Sequence, residues 1–336
     1  IPATSLRVRH RRTKQPRHNQ QQALSPQRHC ESAIGGRSNP VILNNKRYNK
    51  NHMQLGYIGL GKMGFNMVQR LLEKKHEVVA FNRSPQPGVE IAKFGAKISK
   101  SIEELVNELA PPRLIWIMIS YQAVDEFLAK LIPLLKPGDT IIDGGNSPYK
   151  ESMRRAKELS QEKINFLDVG TSGGPDGARN GACLMIGGQE EIFKKYENLF
   201  KDIAANNAYG YMGPAGAGHF VKMMHNGIEY GMMQALAEGF AVMKKSPFNL
   251  NLQKIADLYN HKSVIESRLT EWLKNSFEKF GEDLNEISGE VAHTGEGKWS
   301  IEAAHELGMP LTIIENSLQF RIESKGNPSF TGKMLS

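Results

Sequence analysis

Residues 53–85, "MQLGYIGLGKMGFNMVQRLLEKKHEVVAFNRSP", begin in one apolar run, end near another and hold three glycines between them. Gly59, Gly61 and Gly64 form G-x-G-x-x-G directly after "LGYI". The apolar positions of "MVQRLL" then recur at helical spacing before "EVVAF". Strand, glycine turn, helix and strand in this order predict a dinucleotide site, in which the glycines give a tight turn, room for a pyrophosphate and close helix–strand packing. Without that context the same triplet reads as a loop of some other α/β protein. Gly59, Leu60, Gly61, Lys62, Met63 and Gly64 are the predicted cofactor contacts. Where a NAD site would place an acid after the second strand, the chain has Asn82, Arg83 and Ser84. A guanidinium beside a hydroxyl suits a ribose 2′-phosphate, so NADP is expected ahead of NAD. The alternative is that Arg83 is a solvated surface charge.

Working outward, further strands are predicted at 114–120 ("LIWIMIS"), 140–146, 164–170 and 182–188, with helical stretches between them. This alternation predicts an α/β Rossmann-type doubly wound domain over 53–215. From about Gly216 only helical periods follow, so 216–336 is expected to be an all-α domain. Residues 1–52 are rich in Arg, Gln, Asn, His and Pro without a hydrophobic period, and are predicted to be a disordered basic leader. Two origins stay open for it: an organellar transit peptide, or upstream sequence ahead of a start at Met53.

The formal charge of +8 resides in that leader, which holds 11 Lys and Arg against Glu31 alone. From Met53 onward 32 basic residues face 34 acidic ones, so nucleic acid is not the expected partner. Two cysteines, Cys30 and Cys183, give neither a disulfide framework nor a cysteine metal site, and a reducing cytosol is the expected compartment. The longest apolar run, 114–119, is far short of the roughly 20 residues of a membrane helix.

Three glycine-rich segments follow strand ends, where open α/β sheets bind ligands. "DGGNS" (143–147) offers Asn146, and "GTSGGPDGARNG" (170–181) offers Ser172 with the amides of Gly173 and Gly174, a set suited to a carboxylate or hydroxyls. Either could be an ordinary turn. The third is Gly216, Gly218, Lys222 and Asn226, in G-x-G-x-x-x-K-x-x-x-N. Lys222, His225, Asn226, Glu229 and Tyr230 then share one helical face, where a core stripe would be apolar. A lysine that loses hydration in a closed site can act as a base; the bland reading is a lysine reaching to solvent. Met223, Met224, Ile228 and Met232 are expected to pack the opposite side.

The combination of "GxGxxxKxxxN" and "FLDVGTSGG" resembles the β-hydroxyacid dehydrogenase superfamily. "DGGNSPYKESMRR", "GHFVKMMHNGIEYGMMQ" and "GEGKW" are similar to its 6-phosphogluconate dehydrogenase (decarboxylating) family, short form, from about Met53 past Arg321. The resemblance implies that Lys222 removes the 3-hydroxyl proton of 6-phosphogluconate and assists decarboxylation of the β-keto acid. Glu229 would then protonate C1 of the enediol to give ribulose 5-phosphate, with no metal. It implies substrate contacts for Asn146, Ser172, Gly173, Gly174, His225 and Asn226, and phosphate contacts for Tyr230 and Arg321. It also implies a cofactor loop at Met118, Ile119 and Ser120, with Asn146 near the cofactor too, and a homodimer or higher homo-oligomer. Taken alone, Arg321 reads as a surface helix arginine.

Two departures stand out. Thr294 occupies the place of a phosphate-contacting lysine, and the expected C-terminal Arg and His from a neighbouring subunit have no counterpart before the chain stops at "NPSFTGKMLS". An incomplete C-terminus with weakened substrate binding or dimer assembly is therefore expected. Two alternatives to the 6-phosphogluconate reading stay open: a dehydrogenase of unphosphorylated 3-hydroxyacids, and an inactive remnant or binding protein.

Overall fold

The computed structural model describes residues 52–292 and 295–336. The expectations for the leader and for Thr294 lie outside those residues. The first part of the chain runs β1 (Gln54–Ile58), α1 (Lys62–Glu73), β2 (Glu77–Phe81), α2 (Pro85–Ala92), β3 (Lys97–Ile98), α3 (Ile102–Asn107), β4 (Leu114–Ile117) and α4 (Tyr121–Leu131). It continues with β5 (Thr140–Asp143), α5 (Tyr149–Gln161), β6 (Asn165–Ser172), α6 (Gly174–Asn180), β7 (Ala182–Gly188), α7 (Glu190–Ile203) and β8 (Ala204–Gly213). Helices then follow: α8 (Ala217–Lys244), α9 (Leu252–Tyr259), α10 (Arg268–Phe280), α11 (Glu296–Glu306), α12 (Thr312–Ser324) and α13 (Phe330–Leu335).

The described strands form one eight-stranded sheet in the order β3-β2-β1-β4-β5-β6-β7-β8. It is parallel except where β6 meets β7. Strand side chains alternate between faces. Leu55, Tyr57, Leu114, Trp116 and Ile142 enter one buried cluster, and Ile58, Ile115, Ile117 and Ile141 enter another. A core on each face is why runs such as "LIWI" are continuously apolar. This is the Rossmann-type sheet followed by helices that the sequence predicts. β3 and β8 were not anticipated: β3 is two residues long, and the edge strand β8 carries polar, partly exposed residues that give no apolar run.

The chain winds outward through β2 and β3, then returns to start β4 beside β1. The crevice lies at the carboxyl ends of β1 and β4. Gly59 sits there at φ +102, and a Cβ on it would stand 2.3 Å from the Met118 carbonyl oxygen; one on Gly64 would stand 2.1 Å from the Gly59 carbonyl oxygen. Only glycine lets α1 start this close to the strand ends.

The second seat is that of α8. Asp168, fully buried on β6, accepts hydrogen bonds from the backbone amides of Gly216 (2.7 Å) and His219 (2.8 Å), which satisfies donors at the start of the helix and places a carboxylate at its positive end. A Cβ on Gly218 would lie 2.5 Å from the carbonyl oxygens of both Asp168 and Met185, so α8 presses directly on β6 and β7. On its far end Phe240 joins Leu252, Ala256, Leu273 and Phe277 in the core of the helical part. Among the described residues no helix is long and apolar enough to cross a membrane.

Candidate active site

A cavity of about 1260 Å³ opens between the glycine turn, the ends of β5 and β6, and the α8 face. Its lining takes Gly61, Lys62, Met63 and Gly64 from the first turn, and Met118 and Ile119 from the end of β4. Asn146, Ser172, Gly173 and Gly174 come from the next two strand ends, and Lys222, His225, Asn226 and Glu229 from α8. A smaller cavity of about 340 Å³ adjoins the β2 end and includes Gly59, Asn82, Arg83, Ser84 and Ser120. Asn82 braces it, accepting from the Leu60 amide at 2.9 Å and donating to the Ser84 carbonyl oxygen at 2.9 Å. A turn in which Gly59 and Gly64 leave no space for a Cβ, beside a cavity along the strand ends, fits a nicotinamide dinucleotide.

Ser172 closes β6, and the segment expected to be a loop continues as α6. Pro175 in its first turn and Asp176 near its N-terminus favour a helix there. The expectation for α8 also needs correction. Met223 is buried, but Met224, Ile228 and Met232 line the large cavity, and Ile228 and Met232 are exposed. They give it an apolar wall.

Lys222 donates to the Asn226 side-chain oxygen, and His225 Nδ1 lies 3.0 Å from that same oxygen. An amide oxygen only accepts, so Nδ1 carries the hydrogen, and in the neutral ring Nε2 accepts from the Ser172 hydroxyl at 3.1 Å. The Glu229 carboxylate stands 3.6 Å from His225. Burial pulls the Lys222 pKa below the ordinary lysine range, with the Glu296 and Glu229 carboxylates opposing that fall. An amine so placed is a base that can accept a proton from a hydroxyl in the cavity.

Glu296 is the residue that the sequence reading missed. It is 5% exposed, lines the cavity from α11, and receives hydrogen bonds from the amides of Asn146 and, at 2.8 Å, of Asn226. The signal was present in "GEGKW", which carries the resemblance without a role for its glutamate. Tyr230 and Arg321 are brought together but not into the cavity lining. The Arg321 guanidinium lies 3.9 Å over the Tyr230 ring, donates to the Ala292 carbonyl oxygen at 3.1 Å, and has a buried Nε without a partner. Burial draws its pKa below the usual guanidinium range, and among the described residues its hydrogen bonds go to the Ala292 carbonyl oxygen and the Met233 sulfur rather than to a carboxylate.

Comparison with known proteins places this geometry among relatives. The NAD binding domain of 6-phosphogluconate dehydrogenase matches residues 54–213, and the C-terminal domain of 6-phosphogluconate dehydrogenase matches residues 218–329. A Bacillus subtilis protein, YqeC, provisionally named a 6-phosphogluconate dehydrogenase, is 44% identical over 84% of this chain and 95% of its own length. A Haloferax volcanii NAD(+)-dependent, decarboxylating 6-phosphogluconate dehydrogenase is 39% identical over 84% of this chain and 94% of its own. Among solved structures, Plasmodium falciparum 6-phosphogluconate dehydrogenase superposes with a TM-score of 0.74 at 32% identity, over 81% of this chain and 62% of that one. A 3-hydroxyisobutyrate dehydrogenase from Salmonella typhimurium shares the fold at a TM-score of 0.69 and 19% identity.

Proposed function

The chain belongs to the 6-phosphogluconate dehydrogenase family, and from that premise we propose that it oxidatively decarboxylates 6-phospho-D-gluconate to D-ribulose 5-phosphate with NADP. The observation that carries this reading is the pairing of Lys222 and Glu229 two turns apart on the cavity side of α8, with Asn226 and His225 between them. Gly59 to Gly64, Asn82 to Ser84 and Met118 to Ser120 would hold the cofactor, which when bound supplies the hydride acceptor. Lys222 takes the proton of the 3-hydroxyl as hydride leaves that carbon. The β-keto acid then releases carbon dioxide, its ketone accepting the electron pair, and Lys222, now an ammonium, stabilises the developing enolate oxygen. Glu229 delivers the proton to C1 of the enediol. Ser172, Gly173, Gly174 and Asn146 offer donors to the carboxylate and hydroxyls of the substrate.

The phosphate is assigned to Arg321 and Tyr230, because a buried guanidinium that pairs with no carboxylate among the described residues suits an anionic ligand. A second reading, a dehydrogenase of unphosphorylated 3-hydroxyacids, is favoured by the position of Arg321 outside the cavity lining. A second copy of the chain is the proposed partner, covering apolar side chains such as Phe248, Val264 and Ile313 that the helical part leaves exposed. A reducing cytosol is the proposed setting, where the cavity thiol of Cys183 stays free.

The test supplies 6-phosphogluconate or 3-hydroxyisobutyrate with NADP or NAD and follows reduced cofactor and carbon dioxide. One carbon dioxide per reduced NADP from 6-phosphogluconate is expected; reduction without carbon dioxide would sink the decarboxylase. NADP is preferred through Arg83, whereas the Haloferax relative is NAD(+)-dependent by name. Arg83→Ala is therefore expected to raise the KM for NADP by about tenfold to a hundredfold and leave that for NAD nearly unchanged. Equal loss for both cofactors would remove Arg83 from 2′-phosphate recognition.

A further inference from the structure

We propose that Glu296 is a positioning residue of this site: its carboxylate gathers the amide donors of Asn146 and Asn226 and so aims the Asn226 carbonyl oxygen at Lys222 and His225. The inference rests on the assignment of Lys222 as the base. Geometry carries it. One oxygen of Glu296 accepts from both asparagines, one at the end of β5 and one on α8, and a carboxylate can only accept. The Asn226 amide therefore has one orientation, with its nitrogen toward Glu296 and its oxygen toward Lys222 and, at 3.0 Å, His225 Nδ1.

The anchorage of Glu296 is rigid. It opens α11, which sits tightly on α8: the Ser300 hydroxyl donates to the Met223 carbonyl oxygen at 2.9 Å, and a Cβ on Gly297 would come within 2.8 Å of the Tyr230 ring. A helix fixed against the base-bearing helix thus supplies a buried charge from 70 residues further along the chain.

The charge acts on Lys222 as well. Among the described residues, the ionisable groups that act on that amine are Glu296 from α11, Glu229 from α8 and Cys183 from β7; His225 of α8 shares the Asn226 oxygen with it, and the Asp168 carboxylate of β6 is committed to the start of α8. Lys62 and Arg268 are the further cations of the lining. Burial favours the neutral amine, and Glu296 is the largest opposing influence. It keeps the lysine able to hold the proton that it removes and to offer it back during decarboxylation.

Two variants separate charge from reach. Glu296→Gln keeps the shape and removes the charge; Glu296→Asp keeps the charge and is one methylene too short to serve both amides. The protonation midpoint of Lys222 is read without substrate, from the pH dependence of its acetylation by acetic anhydride, followed by mass spectrometry. Removing a nearby negative charge lowers an amine's pKa. The midpoint should fall by about half to one pH unit in Glu296→Gln and stay near the wild-type value in Glu296→Asp. Both should lose about tenfold in kcat with 6-phosphogluconate. An unmoved midpoint in the folded Glu296→Gln protein, or wild-type kcat in either variant, overturns the inference. A wild-type protein that does not turn over 6-phosphogluconate defeats the proposed function instead, and the acetylation midpoint still decides the role of Glu296.

Discussion

Lys222→Met is expected to lower the oxidation of 6-phosphogluconate by about 10²- to 10⁴-fold, with cofactor affinity kept. Methionine fills nearly the same volume and has no lone pair that can take the hydroxyl proton. Single-turnover cofactor reduction measures the chemical step, and near-normal turnover would remove Lys222 as the base. The same variant should be more resistant to heat than the wild type. Burial lowers the Lys222 pKa in the folded chain, so between that value and the ordinary lysine range the unfolded chain binds more protons than the native one. The wild type therefore gains stability as pH rises through that window and carries the full cost of the buried amine below it. The advantage of Lys222→Met should be present at about pH 7 and fade toward about pH 10.4. Equal melting temperatures at about pH 7 would mean that Lys222 is hydrated in the free protein.

The part of the site that could be read from the sequence was the part written in local periods. The glycine turn stands between two strands, and the polar stripe of α8 violates the apolar pattern expected of a helix this deep in the fold. Periodicity reports which residues share a face, not what that face meets. Hence Met224, Ile228 and Met232 were expected against protein, yet they form the apolar wall of the cavity, while Tyr230 at the edge of the polar stripe turns away to lie under Arg321. Glu296 was hidden for a different reason. Its role depends on α11 returning to α8 over 70 residues, a contact that no local pattern announces, and a glutamate opening a helix reads simply as a favourable charge at the N-terminus. The edge strand β8 escaped because strand prediction leans on burial, and its residues are mostly exposed or half-buried.

Arg155 is the second residue of this kind, and its removal should have the largest effect on stability. It lies in "ESMRR" on α5 with 1% exposure, and it reaches Asp125 Oδ1 at 2.7 Å, Asp143 Oδ2 at 3.4 Å, Ser147 Oγ at 3.2 Å and the Tyr121 carbonyl oxygen at 3.2 Å. Asp143, fully buried at the end of β5, in turn receives the Ser147 hydroxyl at 2.7 Å and the Gly145 amide at 3.1 Å. This cluster shapes the 143–147 turn that presents Asn146 to the cavity. Arg155→Met leaves the Asp143 carboxylate buried without its cation, so unfolding free energy in urea should drop by about 3–5 kcal/mol. Adding Asp143→Asn removes the stranded charge while keeping an acceptor for Ser147. The double variant should recover about 1–3 kcal/mol of that loss, an interaction that independent sites would not show. Because the turn loosens with the cluster, the KM for 6-phosphogluconate should rise in Arg155→Met and recover in part in the double variant. Strict additivity of the two substitutions would show that Arg155 acts through its partners other than Asp143 and that its charge does not hold the Asp143 carboxylate in the Asn146 turn.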